Sequence, residues 1–151
     1  AYIGLIIPGN IIFNLENFGQ GQPVEVRQVA GLLLKNSLKV HYATLVPAYQ
    51  EFIKAELMPC LGSSDRNIRA TVGTVISVII QQGQVKGWPQ LLNALLQCVE
   101  SNDYNHAEGA LGALSKVGNY LNALSMNLTI ADPFLNINLV CSLHMGDKSI
   151  S

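Results

Sequence analysis

The residues best suited to chemistry in this chain are scattered, and their spacing argues against catalysis. Cys60, Cys98 and Cys141 share no CxxC step, and His41, His106 and His144 fall in a turn, a helix start and a tail. A structural zinc site needs thiolate or imidazole donors at short paired spacings, and a nucleophile needs a base and a group to orient it. No such set can be assembled from these positions. No glycine-rich loop carries the lysine that a phosphate site requires. The expectation is a non-enzyme with no cofactor and no metal, its cysteines reduced and set on apolar helix faces.

Recognition is then the chemistry to look for, and two polar patterns qualify. Gln90, Asn93, Gln97 and Glu100 recur at i, i+3, i+7 and i+10, which places them on one face of a helix. Glu51 and Lys54 stand 39 residues earlier than Gln90 and Asn93 (90−51, 93−54). Such a stripe is either a contact face or the solvated side of an amphipathic helix. Arg27 and Arg69, 42 residues apart (69−27), suit an inter-repeat ladder in which Asp65 is a partner.

The elements that position these residues follow from three glycines in phase. Gly31, Gly73 and Gly112 are 42 and 39 residues apart (73−31, 112−73), inside VRQVAGLLLKN, IRATVGTVISVI and AEGALGALSKV. At the 39-residue step Tyr49 maps onto Trp88, Phe52 onto Leu91, Ile53 onto Leu92 and Leu57 onto Leu96. A period of about 40 residues with two amphipathic helices each is the mark of a HEAT or armadillo-type solenoid. The fold class expected is all-α, an α-α superhelix of about two and a half repeats, whose use is a curved binding surface.

Residues 23–117 hold the repeats, with five helices. Pro23 and Pro47 suit first turns. Tyr49, Phe52, Ile53, Leu57 and Leu61 form a core stripe, and Pro59 closes that helix. Gly62-Ser63-Ser64-Asp65 and Ser101-Asn102-Asp103 are stop and cap stretches. The β-branched run from Thr71 to Ile80 has strand propensity, but its phase with the segments at Gly31 and Gly112 makes it a helix. The mid-helix glycines cost about 1 kcal/mol each against Ala, so close approach of another helix is their expected use. Residues 1–22 are an unmatched or partial first repeat, interrupted at Pro8-Gly9. After Lys116 or Val117 the repeat is lost, and 118–151 is expected to be a divergent tail.

Bulk composition agrees. The 151 residues are 49% hydrophobic and 13% charged, apolar for a lone soluble domain and suited to a piece of a longer array. The net charge of −1 gives no field to recruit nucleic acid or an acidic membrane. The apolar start lacks a basic n-region and is too short to span a bilayer, so neither a signal peptide nor a membrane anchor is expected. Asn127-Leu128-Thr129 fits a glycosylation sequon without a secretory route to use it.

The run VRQVAGLLLKN, then AELMPCLGSSDRNIRATVGTVISVI, GWPQLL and SNDYNHAEGALGALSKV, resembles the amino-terminal HEAT repeats of the transportins, karyopherin-β nuclear import receptors, and those of plants in particular. The resemblance spans Pro23 to Val117, about repeats two to four. It implies that the amino-terminal arch binds the GTP form of the small GTPase Ran. It also implies nucleoporin contacts, shuttling between cytoplasm and nucleus, and cargo with a proline-tyrosine signal held only by the carboxy-terminal arch of a full-length receptor. The Ran-facing candidates are Glu51, Lys54, Gln90, Asn93, Gln97 and Glu100. The alternatives are a generic HEAT scaffold or an inactive truncated product.

Overall fold

The computed structural model describes residues 2–83 and 85–127, and among them the regular structure is all helical. Six α-helices follow in order: α1 (Tyr2–Phe18), α2 (Val24–His41), α3 (Pro47–Leu57), α4 (Arg66–Gly83), α5 (Leu91–Glu100) and α6 (Tyr104–Asn127). Short 3-10 turns at Tyr42–Thr44, Met58–Gly62 and Val85–Gly87 link them. This is the all-α solenoid the period implies. Helices α2, α4 and α6 stack side by side as the first helices of successive pairs. In the second layer α1 packs on α2 and α5 on α6, while the turn after α3 packs on α4 and α6.

α4 is the centre of the molecule. Its β-branched run is helical because packing outweighs propensity. Ile68, Val72, Val75, Ile76 and Ile80 are wholly buried. Each such burial is worth roughly 1.5–3 kcal/mol, against less than about 1 kcal/mol per residue of lost helix propensity. The same core takes in Phe18, Leu34, Leu38, Leu57, Leu61, Leu95 and Leu114, so one apolar body runs through all the pairs. Asp65 starts α4 by accepting a hydrogen bond from the Ile68 N–H at 2.9 Å, and Asp103 starts α6 by accepting from Asn105 and His106.

Several expectations are corrected. Pro8-Gly9 does not interrupt the first segment, for α1 is continuous from Tyr2 to Phe18. A proline in a helix interior costs about 3 kcal/mol. Here Ile11, Leu15 and Phe18, spaced i, i+4, i+7, anchor the helix by burying themselves in the core. α6 does not stop near Val117; Val117 and Leu121 keep its apolar stripe buried, and it runs to Asn127. Tyr49 and Phe52 are not core: they stay 38% and 44% exposed, whereas their counterparts Trp88 and Leu91 are buried. α1 packs only lightly on α3. Residues 128–151, including His144, Cys141 and most of the sequon, lie outside the described residues.

Candidate protein-interaction face

The second helices α3 and α5 carry the polar stripe. Glu51 is exposed on α3. Asn93, Gln97 and Glu100 are exposed on α5, and Gln90 is exposed one residue before it, at the N-cap position. Gln97 also borders a hollow of about 420 Å³ shared with Met58, Cys98, Asp103 and His106. Five of the six candidates thus take solvent-facing positions on or just before α3 and α5. Among the described residues none of the five bonds to another helix, and Glu51 accepts from Lys54 on its own helix.

Lys54 departs from the pattern. Its side chain is only 6% exposed. The ammonium donates to the Gly87 carbonyl at 2.6 Å and to Glu51 Oε1 at 2.8 Å, and it lies 5.6 Å from the centre of the Trp88 ring. A lysine can bury its stem when its head finds acceptors. Lys54 therefore ties α3 to the turn before α5 and is not part of a solvated face. The 39-residue map pairs it with exposed Asn93, and the map alone cannot reveal that Trp88 and Gly87 close over it.

The arginine ladder is real in position but not in its expected partner. The Asp65 carboxylate caps α4 and does not pair with the Arg69 guanidinium. Arg69 instead donates to Glu108 Oε2 at 2.5 Å, to Asn105 Oδ1 at 3.3 Å and to the Ser63 carbonyl at 2.7 Å, which pins α4 to α6. Glu108 sits 39 residues after Arg69 (108−69), so the repeat step itself was the available signal. Arg27 is as deeply buried, yet it finds no carboxylate. It donates to the Phe18 carbonyl at 2.9 Å and Ser63 Oγ at 3.1 Å, and its Nη2 has no partner. Its charge also lies beside Cys60, whose thiol burial pushes above the usual range while Arg27 opposes that rise.

The glycines differ in use. A Cβ at Gly31 would come within 2.7 Å of both Phe18 and Thr71, so α1 and α4 approach there as only glycine allows. Gly73 is looser, 3.3 Å from the Ala113 backbone, and Gly112 has open space. The glycine that α6 requires is Gly109, where a Cβ would collide with the Leu61 carbonyl.

Among the described residues no group of histidines, cysteines and carboxylates could hold a metal ion. Cys60 is buried and Cys98 half-buried, and burial raises both thiols above the ordinary range. The His106 ring pairs with the Asp103 carboxylate at 3.1 Å. No described helix is long and apolar enough to cross a membrane.

Comparison with known proteins agrees with this arrangement. The importin-beta N-terminal domain family matches residues 13–63. Transportin-1 of rice is 50% identical over 99 residues, 66% of this chain and 11% of the relative. Transportin-1 of human is 43% identical over 91 residues, 60% of the chain and 10% of the relative. Transportin of Dictyostelium discoideum is 38% identical over 90 residues, again 60% and 10%. The chain therefore spans about a tenth of the length of these relatives. The chain thus resembles the importin-β-type segment of transportins, with a higher identity to the plant protein than to the animal one.

Proposed function

We propose that this chain serves in the amino-terminal arch of a transportin-type nuclear import receptor and meets the GTP form of Ran. The contact surface is the concave face lined by α3 and α5, with Glu51, Gln90, Asn93, Gln97 and Glu100. The observation that carries the reading is the 50% identity over 99 residues to a transportin, in a region the importin-β domain family overlaps. Two second helices of successive repeats, each exposing polar residues over one shared core, are what a partner reading several repeats at once needs. Lys54 contributes by fixing the turn before α5, not by touching the partner.

Nuclear–cytoplasmic shuttling and nucleoporin contacts follow from the same reading. Cargo with a proline-tyrosine signal belongs to the other arch and is not held by this segment. Fluorescence titration with Ran loaded with GTP or GDP tests the proposal. Tighter binding of the GTP form, weakened by Gln97→Ala with Glu100→Gln, is expected. Equal or undetectable binding of the two forms overturns it and leaves a scaffold of the same fold.

A further inference from the structure

A lysine is a costly residue for the place Lys54 takes. Its side chain is 6% exposed, and its ammonium meets the Gly87 carbonyl at 2.6 Å, Glu51 Oε1 at 2.8 Å and the Trp88 ring, whose centre is 5.6 Å away. A buried ion pair adds little stability over apolar residues of the same size, because desolvation offsets most of the attraction. The repeat does not call for the cation either. One step on (93−54) the chain holds Asn93, which is exposed, and the same step from Glu51 (90−51) leads to Gln90. A charge buried at this one interface needs a use that depends on charge.

Its bonds lead in two directions. One reaches Glu51, whose side chain is 70% exposed. Lys54 engages Oε1, and among the described residues no bond reaches Oε2. Lys86, exposed on the turn before α5, makes no ion pair with Glu51 among these residues. The other direction leads to α5. Trp88 is buried, and its carbonyl accepts the Leu91 N–H at 3.2 Å, which opens that helix. Among the described residues the Lys54–Gly87 bond is the only side-chain hydrogen bond from α3 to the segment leading into α5. One ammonium therefore fixes a carboxylate on α3 and the approach to Gln90 and Asn93. A free glutamate loses rotamer freedom when a partner takes it, and one already held has less to lose.

We propose that Lys54 is a positioning residue for partner recognition: it holds Glu51 as a preformed acceptor for a cationic side chain of the partner. The proposal rests on the reading of this face as the Ran contact. The partner's ammonium or guanidinium bonds Glu51 Oε2, while Lys54 keeps Oε1 and stays buried. Lys54 touches no partner atom and acts through Glu51.

Two measurements on the whole chain test this. Trp88 is its only tryptophan, so fluorescence reads the cluster without any partner. Glu51→Ala strips the buried ammonium of its counterion, and acrylamide quenching of Trp88 should rise by at least about twofold. Titration with Ran loaded with GTP gives the second reading. Glu51→Ala should weaken binding about tenfold, and Lys54→Met about fivefold. Adding Lys54→Met to Glu51→Ala should weaken it by less than about twofold more. Lys54→Arg, which keeps the charge, should recover most of the loss. A Lys54→Met effect of equal size with and without Glu51 overturns the proposal and leaves Lys54 a structural residue. Quenching unchanged by Glu51→Ala overturns it as well. A wild type that binds neither form of Ran overturns the Ran reading instead, and the quenching then decides alone whether Glu51 and Lys54 act as one unit.

Discussion

Replacing Glu108 by Gln should cost far more than its half-open position suggests. The carboxylate is 34% exposed, but its partner Arg69 is 7% exposed and fixed between α4 and α6. Breaking a fully buried pair costs about 3–5 kcal/mol because a charge is left unpaired, while an exposed pair is worth about 0.2–1 kcal/mol. Arg69 keeps the Ser63 and Ser64 carbonyls and Asn105, which hold part of the charge-assisted bonding. The expected loss for Glu108→Gln is therefore about 2 kcal/mol, a fall in melting temperature of roughly 4–8 °C for a chain of this size. Thermal and urea unfolding followed by helical circular dichroism would measure it. A double-mutant cycle with Arg69→Met should give a coupling of about 1–2 kcal/mol. Arg66 is the control: its Nε lies 3.7 Å from the same carboxylate, but its side chain is 85% exposed. Arg66→Met should cost less than about 0.5 kcal/mol. A Glu108→Gln chain as stable as the wild type, or an Arg66→Met loss equal to that of Arg69→Met, refutes the reasoning.

Other predictions follow from single contacts. Gly109→Ala forces the Leu61 carbonyl away and should destabilise by about 1–3 kcal/mol, whereas Gly112→Ala, with open space around it, should stabilise by up to about 1 kcal/mol; paired melts decide. Arg27→Met removes a buried charge that has no carboxylate, so it should cost less than Arg69→Met in the same assay. The same substitution removes the charge that opposes the rise of the Cys60 thiol, so Cys60 alkylation, in a Cys98→Ser, Cys141→Ser background, should shift to higher pH; a shift to lower pH refutes this. The Asp103 carboxyl is held below its ordinary value of 3.8, chiefly by hydrogen bonding to His106. Its stabilising effect is present above pH 3.8 and lost as the pH falls through the lowered value. Asp103→Asn should flatten the acid limb of the stability curve there, with the limb unchanged if the reasoning fails.

The parts of this structure legible in sequence are those set by period. The phase of Gly31, Gly73 and Gly112 identified three first helices, and it correctly overrode the strand propensity of the run from Thr71 to Ile80. Features set by tertiary contact were not legible. Pro8 reads as a breaker by local rule, yet burial of Ile11, Leu15 and Phe18 carries α1 past it. Tyr49 and Phe52 read as core because their counterparts are core, but exposure depends on what the preceding helix covers. Lys54 reads as a surface charge, because nothing in a one-dimensional pattern shows the Trp88 ring and the Gly87 carbonyl arriving beside it. The Arg69–Glu108 pair was within reach of the 39-residue step and was missed by looking for the partner on the same turn.

Hydrogen exchange of the whole chain with and without Ran loaded with GTP tests the central claim most directly. Added protection should map to α3 and α5, around Glu51, Asn93, Gln97 and Glu100, and should be absent with Ran loaded with GDP. Protection confined to other helices, or none with either form, would contradict the assignment of this face as the Ran-binding surface.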